Sequence, residues 1–448
     1  AGVVGCSVAY HLTRLGWRDI VVLEQGPLFD TGGSSSHAPA IIFQTNPSRL
    51  YSLLAAYTVE LFSQLELDGL PCYLPVGALE VAWTPERMEE LKRRVTLAKS
   101  WGLDTHLLGP EEAVQKAPLL TDKVLGAMYN ATDGLAKVVR TDEAMANEAK
   151  AGGANFYGDT TVTGIEVKDG RVRAVVTSRG RIRTDIVVAA AGIWGPRVGR
   201  MAGVTIPLFP MQHPQIKLGP LPELADETVE ITQPAIRHPD RSMYCRQYFK
   251  FYEVGSYRHE PVLFDPDDIP PYEQAKITPA TAPFRPELFS EALAPVMDLV
   301  PALRDAPVVE DLNGMFSFTV DGMPILGESP QVRGFWSAEA VWVAHAGGVG
   351  KIMAEWIVEG TPSLDTHEAD IARFHPHVSD SRYIKSRCAQ QYREVYDIIH
   401  PLQQSELVRG LRTSPFYPRQ KDLGAIFFET TGWERPQWYA ANESLLQD

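Results

Sequence analysis

Glycines that open helices, a histidine that closes a polar loop, and a histidine and a tyrosine on strands are the residues here that could do chemistry. The chain begins Ala1-Gly2-Val3-Val4-Gly5, continues as an apolar helix through Leu12, stops at Gly16-Trp17, and resumes as an apolar strand ending in Glu24-Gln25. Glycine turn, helix, strand and acid, in that order, grip the ADP half of a dinucleotide. Gly2 lets the backbone approach a pyrophosphate, Val3 and Val4 begin the turn whose free N–H groups face it, and Glu24 accepts ribose hydroxyls, with Gln25 beside it. Gly5 is expected to let helix and strand pack closely. The first glycine of the full G-x-G-x-x-G pattern and a strand before it are not in the sequence, so the chain is expected to be a piece of a longer one.

Gly32-Gly33-Ser34-Ser35-Ser36-His37-Ala38-Pro39 has no regular period, and its backbone and hydroxyl groups could wrap a phosphate or sugar. By itself His37 reads as a loop histidine exposed to water, or as an imidazole able to bond a bound ring. The apolar run Asp185–Ala191 leads into Gly192-Ile193-Trp194, small residues at a strand tip that let a cofactor near the backbone, or an ordinary core strand. His345-Ala346-Gly347-Gly348-Val349-Gly350 opens another helix, whose N–H groups could face an anion, or whose small residues simply pack. His213 and Tyr244 lie in strand-like stretches, where such residues are more often structural.

These groups need elements to hold them. At 448 residues, more than one domain is expected, and 44% hydrophobic with 22% charged residues is ordinary globular composition. A net charge of -14 argues against nucleic acid or an anionic membrane as the main partner. Cys6, Cys72, Cys245 and Cys388 lie far apart, which suits a reducing compartment and gives no zinc pattern, so no metal site is expected. No apolar run reaches the roughly 18 residues of a membrane span.

Helical periodicity over 47–68 and 85–101 looks like an insertion into the nucleotide fold. Alternating strands fill 155–183, with Asp169-Gly170 as a hairpin turn and Val162 on the cofactor side. The fold class is α/β: a discontinuous Rossmann-type nucleotide domain (1–46, 135–206, 313–365) and an α+β substrate domain built on an antiparallel sheet (47–134, 207–312). A C-terminal linker with the start of another domain follows at 366–448, and its tryptophans are expected to dock on something.

Five motifs, in order, resemble one family: the Gly-x-x-Gly start with Glu24, the Gly-Gly-Ser-Ser-Ser-His-Ala-Pro loop, Ala191-Gly192-Ile193-Trp194-Gly195, Phe316-Ser317-Phe318-Thr319-Val320-Asp321-Gly322, and His345–Gly350. That family is the glycine-oxidising flavoproteins, and within it the dimethylglycine oxidases and the dimethylglycine and sarcosine dehydrogenases. The resemblance implies FAD bonded covalently to His37, with His213 and Tyr244 facing the flavin. It implies FAD-dependent oxidative N-demethylation of dimethylglycine to sarcosine, a step of choline and betaine catabolism and one-carbon metabolism. The iminium formed would give formaldehyde, or methylene-tetrahydrofolate in a longer protein whose folate domain, similar to an aminomethyltransferase, begins near Thr413-Ser414-Pro415-Phe416. Ala40 departs from the glycine usual in relatives.

A protonated amine has no free lone pair, so Tyr244 and His213 are expected to deprotonate it before hydride leaves an N-methyl carbon. Oxygen or an electron-transfer partner would complete the cycle. The expected compartment is the cytoplasm, or the mitochondrial matrix if the source is eukaryotic. Sarcosine or 4-methylaminobutanoate as substrate, and a non-catalytic regulatory relative, are the alternatives.

Overall fold

A computed structural model describes residues 1–30, 32–400 and 403–446. Thr31, beside the serine loop, and residues 401–402 and 447–448 of the expected C-terminal segment lie outside that description.

The first helix, Val3–Arg14, starts at Gly2, whose φ of -78° and ψ of 179° are extended, and no side chain of Gly2 is there to cap it. Val8, Ala9 and Leu12 bury one face against Ala149 of the Val138–Ala151 helix and Val349, Ile352 and Met353 of the Ala346–Glu359 helix. Beside this layer run two short parallel pairs. Val21–Leu23 pairs with Asn155–Tyr157, and Val187–Ala189 pairs with Phe335–Glu339. Between them, Val162–Lys168, Arg171–Thr177 and Gly180–Arg183 form an antiparallel sheet. Asp169 (φ 53°) and Gly170 (φ 68°) are both left-handed, as the type I′ turn of a two-residue hairpin requires.

The second layer is a nine-stranded, mostly antiparallel sheet. Its central strands are Val308–Thr319, Leu208–Leu218, Phe251–Ser256, Met243–Tyr248 and Ala235–His238, and Ala78–Ala82 joins Ala235–His238 in parallel. Segments from 47–134 and 207–312 thus share one sheet. The expected edge at 312/313 falls inside a strand: Val308–Thr319 pairs with Leu208–Leu218 from Val308 through Thr319. Phe316, Ser317 and Phe318 therefore belong to the large sheet and not to the nucleotide layer, because ladder pairing outweighs their motif's place in the chain.

Nor is the stretch from 366 onward only a linker. The helix Ser381–Arg393, capped by Asp380, is anchored in the core through Tyr383, Cys388 and Tyr392, and packs on Leu208–Leu218 and Val308–Thr319. Further on, Trp433 and Trp438 are half-buried in a hairpin with Ala425–Thr430. No helix among the described residues is long and apolar enough to cross a membrane.

Candidate active site

A cavity of about 540 Å³ runs between the nucleotide layer and the large sheet, within the usual range for ligand sites. Gly2, Val3, Val4, Glu24, Gln25, Val162, Ala191, Gly192 and Trp194 line its first half. Gly33, Ser34, His37 and Ala38 line the middle, and His213 and Tyr244 the far end. Residues from seven separate stretches of sequence thus meet on one surface.

Two groups of expected cofactor residues are elsewhere. Gly347, Gly348, Val349 and Gly350 are buried inside the Ala346–Glu359 helix and do not reach the cavity wall. A Cβ on Gly347 would lie 2.9 Å from Cα of Thr58, one on Gly348 would lie 2.6 Å from Leu54, and one on Gly350 would strike Ser7. These glycines let three helices approach closely, and the Gly348 N–H is already taken by Thr58 Oγ1 at 3.1 Å. The cavity is reached instead by the preceding turn, Trp342 to His345. Ser36 is turned away as well, donating to the Gly33 carbonyl at 2.7 Å, while its neighbour Ser35 lines the wall and accepts the Val3 N–H at 3.2 Å. Gly5 packs loosely, since a Cβ there would meet Ala190 at an ordinary 3.9 Å.

The far end is set by register. Gln215, Gly255, Tyr244, Arg237 and Glu80 oppose one another strand by strand, so they form a single row on one face of the sheet. His213, two residues before Gln215 and therefore on the same face, pairs with Gly314. The two glycines are bays in this row. A Cβ on Gly255 would collide with the ring of Tyr244, and one on Gly314 with the imidazole of His37. Through these bays the Tyr244 hydroxyl reaches Nε2 of His213 at 2.9 Å, and His37 settles beside the same strands.

Arg237 is the residue that motif reading missed. Its guanidinium lies 3.8 Å from the Phe43 ring centre and 4.8 Å from that of Tyr396, and Nη1 donates to Glu80 at 3.1 Å. Its Nε is buried with no partner among the described residues. Glu80 also holds Arg94, so it is not the private partner of Arg237. The available signal was the tight Pro239–Ser242 turn, which places Arg237 opposite Tyr244. Tyr257 and Phe316 add aromatic walls around His213, at ring-centre distances of 4.3 and 5.5 Å.

Burial dominates the electrostatics. It pushes His213 well below the usual imidazole range, helped by His259 and His37, and pushes Tyr244 well above the usual phenol range. Both are neutral at ordinary pH. Burial also lowers His37 to about 4, so the ring is neutral and one of its two nitrogens has a free lone pair. Behind the Ala191–Gly192 tip, burial raises Glu339 to about 8, even though the Ala191 N–H donates to it at 2.8 Å.

These residues fit FAD. A helix start that gets no cap from its own N-cap residue, Gly2, and a carboxylate suit the ADP half, and small residues at 190–192 leave room behind a ring. His37 Nδ1 is buried with no partner among the described residues, an orphaned polar atom on the cavity wall.

The family described as FAD dependent oxidoreductase matches residues 1–356, and the one described as FAD dependent oxidoreductase central domain matches 359–414. The mitochondrial sarcosine dehydrogenase of Mus musculus is 32% identical over 99% of this chain and 48% of its own length. The mitochondrial pyruvate dehydrogenase phosphatase regulatory subunit of Mus musculus is 30% identical over 99% of this chain and 50% of its own. The mitochondrial dimethylglycine dehydrogenase of the same animal is 28% identical over 98% and 50%. The chain spans about half the length of the curated relatives it matches. Among solved structures, L-proline dehydrogenase from P. horikoshii has the same fold, with a TM-score of 0.71 and 24% identity over 83% of this chain and 95% of that one. The family match over most of the chain, on a fold whose cavity fits the cofactor, gives the conclusion: this chain belongs to the FAD-dependent oxidoreductase family.

Proposed function

We propose that this chain binds FAD through a covalent bond to His37 and oxidises an N-methyl group of a small N-methylated amino acid, dimethylglycine foremost. The products are sarcosine and, by hydrolysis of the iminium, formaldehyde, or methylene-tetrahydrofolate in the longer protein. The supporting observation is the run of His213, Tyr244 and Arg237 on one sheet face beside His37. FAD, held there, supplies the two-electron oxidation of the N-methyl carbon, with oxygen or an electron-transfer partner as final acceptor.

The protein's own residues do the rest. Arg237, with its unpartnered Nε, binds the substrate carboxylate, and its place beside Tyr244 suits an amine separated from its acid by one carbon. Tyr244 and His213 draw the ammonium proton from the bound substrate, with the Tyr244 hydroxyl hydrogen-bonded to Nε2 of His213 behind it as the acceptor. Tyr257 and Phe316 keep water from the amine.

Replacement of His213 by Gln or of Tyr244 by Phe should slow anaerobic reduction of the flavin by dimethylglycine by roughly 10² to 10⁴-fold in stopped flow. Unchanged rates in both would overturn the reading. A second reading, a non-catalytic regulator, draws on the similarity to the phosphatase regulatory subunit. A purified protein without flavin colour would favour it.

A further inference from the structure

The Tyr244–His213 pair does not end in the cavity. Nδ1 of His213 lies 3.3 Å from the hydroxyl of Tyr392, and that hydroxyl lies 2.7 Å from Nε2 of His259. His259 Nδ1 in turn lies 2.8 Å from the backbone carbonyl of Glu260. His213 and Tyr392 are buried, His259 is half-buried, and Glu260 is exposed, so the row leads from the cavity to the surface.

One group sets the direction of every bond. A carbonyl only accepts, so His259 carries its proton on Nδ1 and offers Nε2 as acceptor. Tyr392 then donates to His259, which leaves its oxygen to accept from His213 Nδ1–H. His213 in that tautomer has Nε2 free to accept from Tyr244. Four hydrogen bonds all point outward, from Tyr244 to the surface.

We infer that Tyr392 and His259, through His213, form the path by which the proton taken from the substrate ammonium leaves the buried site. The inference rests on the reading that Tyr244 and His213 deprotonate an amine. The step balances without any redox change. The substrate N–H bond breaks as an O–H bond forms at Tyr244, whose own proton passes to Nε2 of His213. His213 releases its Nδ1 proton to Tyr392, and Tyr392 passes its proton to Nε2 of His259. One imidazolium results, at the protein surface, and it returns the proton to water.

Tyr392 and His259 touch no substrate, so their variants must be distinguished from merely structural damage. Tyr392→Phe keeps the ring that packs on Phe318, and His259→Ala truncates a half-buried side chain. The test uses the flavin-loaded full-length protein, reduced anaerobically by dimethylglycine, and by its N-methyl-deuterated form, in H2O and in D2O. For both variants the reduction rate should fall by roughly 10- to 100-fold with little change in substrate affinity. The solvent isotope effect should grow and the substrate isotope effect shrink, since proton exit now limits the rate. Added imidazole should restore part of the His259→Ala rate. Unchanged isotope effects in both variants, with no imidazole rescue, would overturn the path while leaving the parent reading intact. A wild-type flavin that no N-methyl amino acid reduces would remove the parent reading and the path with it.

Discussion

Gly314 stands where a side chain would displace His37: any Cβ there collides with Cδ2 and Nε2 of the imidazole. The large sheet thus leaves a gap at the point opposite His213 and fills it with a ring from the nucleotide layer. Gly314→Ala should push His37 off its position and lower the fraction of flavin that stays with the protein after acid precipitation. His37→Ala should release all of it. Full retention in Gly314→Ala would contradict the geometry.

Arg237→Gln removes the carboxylate partner, while Glu80 keeps its ion pair with Arg94. A charge-assisted hydrogen bond is worth about 1.5–3 kcal/mol, so the Kd for dimethylglycine should rise by roughly 10- to 100-fold. Amines that lack a carboxylate should lose nothing, and a titration comparing dimethylglycine with trimethylamine reads the difference. An equal loss for both would place the carboxylate elsewhere.

Ala40 holds a left-handed φ of 57°, the conformation that glycine adopts without strain. Removing that strain gains about 1–2 kcal/mol, whereas the freer unfolded glycine costs about 0.4–1 kcal/mol. Thermal melts should therefore find Ala40→Gly neutral to slightly stabilising and Ala40→Val clearly destabilising. A large loss in Ala40→Gly would show that the backbone there is held by something else.

Glu339 gives stability a pH dependence with a defined sign. Its carboxyl is raised from 4.5 to about 8 by burial. Between those values the folded protein keeps the proton and the unfolded chain loses it, so this group's contribution falls as pH rises and levels off above about 8. Glu339→Gln should flatten that fall in denaturant titrations run across the window. An unchanged slope would mean that Glu339 is ionised in the fold.

Much of this was legible in the sequence because it is local. The glycine-opened helix, Glu24, the His37 loop and the Asp169-Gly170 hairpin each depend on neighbours a few residues away. Ala40 was visible as a departure, and its positive φ supplies the reason. What could not be read were consequences of register. Arg237 becomes a site residue only because two strands place it opposite Tyr244, and Tyr392 only because a helix from beyond the expected boundary packs on the sheet. Gly347 to Gly350 misled for the opposite reason. A glycine-rich helix start has the same sequence whether it faces an anion or, as here, the backbones of other helices.

The central claim is tested most directly by adding glycine, sarcosine, dimethylglycine and betaine, one at a time and without oxygen, to the purified yellow full-length protein. Dimethylglycine should bleach the flavin fastest and yield formaldehyde, while betaine, whose nitrogen has no lone pair to free, should leave it unchanged. A flavin that betaine bleaches as readily, or that no N-methylated amino acid bleaches, would contradict the account.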